Sequence, residues 1–178
     1  MFQIILLILM VVSCSNSNYV GTMQIRDFVL NKCTNSGNDP ISVNNFTIEF
    51  GNHLVPIVSG TFSTSVDLNS PIEVSIDVKR KVIFWIEVPC VDNLGSCTYK
   101  DVCIFGIAKN KPCPPILNDN KVPCRCPIKK GTYIIPESIG SFLENTAIYS
   151  GYYKGNVIIK NDKQRLGCYD MTFELYNS

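Results

Sequence analysis

Val58-Ser59-Gly60-Thr61-Phe62-Ser63-Thr64-Ser65-Val66-Asp67-Leu68 and, beyond Asn69-Ser70-Pro71, Ile72-Glu73-Val74-Ser75-Ile76-Asp77-Val78-Lys79 carry the reading of the fold. In the first stretch Val58, Phe62, Val66 and Leu68 share a row with the small Gly60 and Thr64. Ser59, Thr61, Ser63, Ser65 and Asp67 fill the opposite row. In the second, Ile72, Val74, Ile76 and Val78 alternate with Glu73, Ser75, Asp77 and Lys79. Successive strand side chains point to opposite faces, so this period predicts antiparallel strands with one face buried and one wet.

Working outward, Phe46, Ile48 and Phe50 oppose Asn45, Thr47 and Glu49, which predicts another half-buried strand. Asn45-Phe46-Thr47 is also a glycosylation sequon, with Asn45 on the wet row. Towards the C-terminus come Thr132–Ile135, Asn156–Lys160, the turn Asn161-Asp162-Lys163-Gln164 and a last strand. There Tyr169, Met171, Phe173 and Leu175 point in, and Asp170, Thr172, Glu174 and Tyr176 point out. Residues 18–40 read as a turn-rich approach closing on Thr34–Pro40. A short helix is expected near Thr98–Phe105. Six to eight short strands separated by turns predict an all-β, two-sheet antiparallel sandwich. The 178 residues suit one domain.

The N-terminal run Ile4–Val12 is apolar and far shorter than the ~20 residues of a membrane-crossing helix. With Ser13, Ser15 and Ser17 behind it, it reads as a secretory signal over residues 1–17, leaving 18–178 as the domain; a buried N-terminal strand or helix is the alternative. Nine cysteines become eight when Cys14 leaves with the signal: Cys33, Cys90, Cys97, Cys103, Cys113, Cys124, Cys126 and Cys168. An even set in an exported chain reads as a disulfide framework, each bridge contributing about 2–4 kcal/mol. Eight cysteines allow 105 pairings. The spacing of Cys124 and Cys126 is too tight for a zinc knuckle, so no metal is expected.

Sixteen basic residues against fifteen acidic ones argue against nucleic acid as a partner and against purely electrostatic membrane binding. The one histidine, His53, sits in a turn with no Ser or Cys signature around it. No phosphate-cradling glycine loop is present, and no cofactor is expected. Only a carboxylate pair assembled by the fold would escape this reading. Two apolar stretches stand apart. In Val82–Val88 both strand faces are apolar: either this is a central buried strand, or Ile83 and Trp85 project at a rim. Residues 137–153 carry Ile139, Phe142, Leu143, Ala147, Ile148, Tyr149, Tyr152 and Tyr153, either packed on their own domain or exposed for a purpose.

The cysteine words are distinctive: Trp85-Ile86-Glu87-Val88-Pro89-Cys90, Gly95-Ser96-Cys97-Thr98, Cys103, Pro112-Cys113-Pro114, Pro123-Cys124-Arg125-Cys126-Pro127, Lys130-Gly131-Thr132-Tyr133 with Pro136, and Gln164-Arg165-Leu166-Gly167-Cys168. Together with Asp39-Pro40 and Ser70-Pro71, they make residues 33–175 resemble the ganglioside activators of the MD-2-related lipid-recognition family. The resemblance implies a β-cup holding acyl chains, with pairs Cys33–Cys168, Cys90–Cys97, Cys103–Cys126 and Cys113–Cys124. It implies a non-enzymatic protein of the lysosome lumen or extracellular space. Such a protein lifts a glycosphingolipid from a membrane for a β-N-acetylhexosaminidase; a general carrier of phospholipid or sterol without a hydrolase partner is the alternative. The expected cavity lining is Val58, Phe62, Val66, Val74, Ile76, Val78, Tyr169, Met171 and Phe173. The expected membrane-contacting rim is Ile83, Phe84, Trp85, Ile139, Phe142, Leu143, Ile148 and Tyr149. The chain departs from the family pattern in a shorter Cys103–Cys113 segment and in residues 137–153, which lack a second Trp.

Overall fold

The computed structural model describes residues 23–50, 56–91, 93–139 and 149–177; the signal segment, His53, Phe142, Leu143 and Ile148 lie outside them. Among the described residues nine strands form two antiparallel sheets. They are β1 (Met23–Lys32), β2 (Ile41–Phe50), β3 (Pro56–Thr64), β4 (Glu73–Lys81), β5 (Trp85–Glu87), β6 (Thr98–Tyr99), β7 (Gly131–Ile139), β8 (Gly151–Asn161) and β9 (Gln164–Asn177). The larger sheet runs β1-β9-β8-β4-β5, with β6 also on β4; the smaller runs β2-β3-β7.

The two decisive stretches form the inner faces. Val58 and Phe62 from β3 meet Val74, Ile76 and Val78 from β4 and Tyr169, Met171 and Phe173 from β9, all buried in one core. The first stretch does not stay extended to Leu68. β3 stops at Thr64, whose hydroxyl donates to the Val66 carbonyl at 2.7 Å and bends the chain. Val66 is left half-buried, and Leu68 returns to the core through a bridge to Ile128. The expected outward position of Glu174 is also modified, because Arg26 on β1 covers it with an ion pair at 2.7 Å.

Residues 23–32, within the stretch read as a turn-rich approach, are a full strand. Its alternation breaks at a bulge where Asp27 takes φ +52°, so Ile25 and then Phe28 and Leu30 point inward. A second bulge at Asn45, φ +50°, does the same for Val43 and then Phe46 and Ile48 in β2. One extra residue flips every later side chain to the other face. The expected helix near 98–105 divides into β6 and a 3-10 turn at Val102–Phe105, capped by Asp101. A five-residue helix, α1 (Pro115–Asp119), appears in the cysteine-rich segment and buries Leu117.

All four pairings implied by the resemblance are formed: Cys33–Cys168, Cys90–Cys97, Cys103–Cys126 and Cys113–Cys124. Three of them gather at one end, while Cys90–Cys97 lies part-way along β4, where Ile76 N donates to Cys97 O at 2.8 Å. Lys32 opposite Tyr169, Ile41 opposite Thr64, Thr64 opposite Gly131 and Glu73 opposite Lys160 mark one end, beside Cys33–Cys168. Val102 N donates to Ile72 O at 2.8 Å there, bringing the Cys103–Cys126 and Cys113–Cys124 segment to the same end. Gly151 opposite Leu175, Ile25 opposite Leu175, Lys81 opposite Trp85, Phe50 opposite Pro56 and Ile57 opposite Ile139 mark the other. At 3.3–3.4 Å per residue, the nine residues of β4 separate the stapled end from this second end by about 30 Å.

Candidate functional site

The β4–β5 connection lies at the end remote from three of the four staples, Cys33–Cys168, Cys103–Cys126 and Cys113–Cys124. Val82 N donates to Phe84 O at 3.1 Å, closing a tight turn that leaves no depth for burial. Ile83 is 87% exposed and Phe84 68%, while Trp85 and Ile86 are about two-fifths exposed. Of the two readings left open for Val82–Val88, the projecting one holds, because β5 is three residues long and sits at the sheet edge. A contiguous exposed apolar run of this kind marks a surface that meets something apolar.

Cations frame the run. Lys154 Nζ sits over the Trp85 ring at 4.5 Å from its centroid, and Lys79 and Lys81 flank the turn on β4. Arg80 differs from its neighbours. It pairs with Tyr153, whose ring is buried, so the two share the inner face. The Arg80 guanidinium lies over the Tyr149 ring at 5.1 Å, and its Nη2 donates to Ser150 O at 2.7 Å. Tyr149, expected at the rim, is about half exposed; Ile139 closes β7 at the same end.

Behind the rim an aromatic file links the two sheets. Phe46 meets Phe28 at 5.5 Å between centroids, Phe28 meets Phe173 at 6.4 Å, and Phe173 stacks on Tyr153 at 5.1 Å with planes 5° apart. Burial pushes the Tyr153 phenol up to about 12 against the opposing influence of Arg80, so it stays protonated and donates to Tyr149 O at 2.7 Å. The nine residues expected to line a cavity lie in or against this one core, eight buried and Val66 half-buried. Phe28 and Tyr153 were missing from that expectation. The signal was present for both: Phe28-Val29-Leu30 alternates with Ile25 once a one-residue bulge is allowed, and Tyr153 keeps phase with Val157 and Ile159.

The buried carboxylates Asp39 and Glu174 are each paired with an arginine, Arg165 and Arg26, and among the described residues no three His, Cys, Asp or Glu side chains are grouped to hold a metal. The inner faces carry apolar and aromatic side chains packed in one core, with Arg80 at its rim.

The ML domain family matches residues 27–175. The chain belongs to that family. As an ML-domain protein it is lipid-binding, and its four bridges are consistent with an oxidising, secretory environment. Two relatives carry the name Ganglioside GM2 activator. That from Macaca fascicularis is 38% identical over 142 residues, 74% of this chain and 75% of its own. That from Mus musculus is 34% identical over 155 residues, 82% of this chain and 80% of its own. A solved Niemann-Pick type C2 protein from Japanese carpenter ant overlaps 89% of this ML domain chain and 97% of its own, at 16% identity and a TM-score of 0.32, too loosely to bear on the argument.

Proposed function

We propose that this chain extracts a glycosphingolipid from a membrane and presents its headgroup to a lysosomal glycosidase, acting as an activator without catalysis of its own. The observation that carries the reading is the exposed run Val82–Ile86 set at the end of an apolar sandwich remote from three of its four staples. The relatives named Ganglioside GM2 activator support the choice of lipid, and a β-N-acetylhexosaminidase is the matching partner.

The energetic logic is one of access. Each acyl CH2 kept from water is worth about 0.8 kcal/mol, and a bilayer already supplies that shelter. A protein that removes lipid must offer an equally apolar interior. Val58, Phe62, Val66, Val74, Ile76, Val78, Tyr169, Met171 and Phe173, joined by Phe28, Phe46 and Tyr153, line it in this proposal. Ile83, Phe84, Trp85 and Tyr149 enter the membrane surface transiently, together with Ile139, Phe142, Leu143 and Ile148. A soluble hydrolase then meets a headgroup raised from the bilayer plane.

Native mass spectrometry of the secreted protein after exposure to mixed vesicles tests this. A retained glycosphingolipid, and faster ganglioside cleavage by hexosaminidase when the protein is added, are expected. A retained phospholipid or sterol with no change in cleavage would instead identify a general secreted carrier. A protein that remains empty would end the lipid reading.

A further inference from the structure

The cysteine-rich segment differs from the rest of the chain in charge. Residues 100–130 hold seven cations against two carboxylates, a net of +5, while the rest of the chain holds nine against thirteen. Part of this charge is already engaged. Asp101 accepts from the Ser70 hydroxyl and from the amides of Ile72 and Cys103. Lys100 pairs with Glu73 at 3.3 Å and Lys129 with Asp67 at 2.8 Å. Lys109, Lys111, Lys121 and Lys130 are exposed, and among the described residues none of the four takes part in an ion pair.

The lobe holds these lysines on fixed backbone. Cys103–Cys126 and Cys113–Cys124 tie it twice, and Leu117 and Val122 sink into the core. Arg125 is half-buried, and its guanidinium donates to Lys109 O at 3.0 Å and to Lys111 O at 2.8 Å. Lys111 N donates to Ala108 O at 2.9 Å, so Lys109 and Lys111 ride on one pinned turn. Two apolar side chains stand out on the same lobe. Phe105 packs edge-on against Tyr99 at 5.9 Å and leaves its neighbour Ile104 73% exposed, while Ile116 on α1 is 42% exposed.

Separate apolar side chains among polar and cationic ones have the anatomy of a protein interface. The lobe lacks the continuous apolar run that Val82–Ile86 offers to a bilayer. It also lies at the end about 30 Å from that run, so a molecule seated by its rim turns the lobe toward water. We propose that this lobe docks the hydrolase, against an acidic face of that enzyme, while the rim stays with the membrane. The inference rests on the hydrolase reading above and adds to it the surface of contact and the charge of its counterpart. A standard interface covers about 800 Å² of each partner, roughly 30 Å across, so an enzyme resting on the lobe reaches a headgroup held at the rim. Exposed lysines steer such an encounter and make it salt-dependent.

The test titrates the full chain into β-N-acetylhexosaminidase acting on ganglioside in phosphatidylcholine vesicles, and reads the half-saturating concentration and the maximal rate separately. Lipid uptake is measured in parallel by native mass spectrometry without the enzyme. For the wild type, the half-saturating concentration is expected to rise with added salt. Lys109→Glu/Lys111→Glu/Lys121→Glu is expected to raise it by about 10-fold or more, the scale of three exposed charge pairs turned repulsive. Its maximal rate and its lipid uptake should match the wild type. Lys109→Gln/Lys111→Gln/Lys121→Gln, which adds no repulsion, should fall between, and guards against a fold disturbed by charge reversal. Ile104→Ser should raise the half-saturating concentration without changing its salt dependence. An unchanged half-saturating concentration in both lysine variants would overturn the proposal while leaving the hydrolase reading intact. Lipid uptake falling in step with activation would also overturn it, and make the lobe a membrane contact. A wild-type chain that takes up ganglioside yet accelerates its cleavage at no concentration would remove the hydrolase reading and this inference with it.

Discussion

The Tyr169 hydroxyl on β9 donates to Ile41 O at 3.1 Å and accepts from Val43 N at 3.0 Å, tying the large sheet to the edge strand β2 of the small one. The phenol is buried and pushed up to about 12 by that burial, so it remains a donor at any physiological pH. Replacing it with Phe keeps the ring and strands two backbone groups. Tyr169→Phe is therefore expected to cost about 1–3 kcal/mol in denaturant unfolding with the disulfides intact. A loss near zero would show that water takes over both bonds.

The rim variant Ile83→Asp/Phe84→Asp separates docking from folding. Both side chains are largely exposed, so thermal unfolding should shift little. Uptake of lipid from vesicles should fall by about 100-fold, since two large apolar side chains lose their burial in the bilayer surface. Trp85 is the one tryptophan of the chain, so its fluorescence reports the same event without a label. A blue shift on adding vesicles is expected for the wild type and not for the variant.

Acid should not loosen the cysteine-rich segment until well below the usual carboxylate range. Burial works against ionisation of Asp101, but the Ser70 hydroxyl and the amides of Ile72 and Cys103 outweigh it and lower its pKa. A carboxylate with a depressed folded-state pKa stabilises the fold above its unfolded pKa, near 3.9, and loses that contribution as pH falls through the folded value. The melting-temperature gap between wild type and Asp101→Asn is expected to be the same at pH 7 and pH 5, and to close only below about pH 4. A gap already shrinking at pH 5 would mean that the cap is not ionised as described.

Asn45 stands exposed on the β2 bulge, with the hydroxyls of Thr47 and Ser59 2.7 Å apart beside it. Thr47→Ala removes the sequon without disturbing the left-handed position of Asn45. Protein secreted from a glycosylating host should lose the mass of one glycan, by intact-mass measurement, and keep its fold. An unchanged mass would show that the bulge is not modified.

Most of the sandwich was legible in short stretches. Period-two alternation in Val58–Thr64, Glu73–Lys81 and Tyr169–Leu175 is a local property of side chains on a pleated strand, and it named the inner rows directly. It failed where one inserted residue changed the phase. The Asp27 bulge hid β1, and with it Phe28, because a flipped row looks like no row at all. The cysteine words supplied the bridges only through resemblance, since spacing alone does not choose among 105 pairings.

The sequence by itself determined which faces are apolar, that eight cysteines are available for bridging, and that Val82–Val88 is apolar on both sides. Tertiary structure alone decided that this run ends a strand at the rim rather than crossing the core, because exposure depends on what packs against it. It also decided the place of Arg80. In Lys79-Arg80-Lys81 the arginine keeps the phase of Val74, Ile76 and Val78. The pairing of β4 with β8 then sets it opposite the buried Tyr153. That pairing joins residues 73 positions apart in the chain, and no local pattern names Tyr153 as the neighbour.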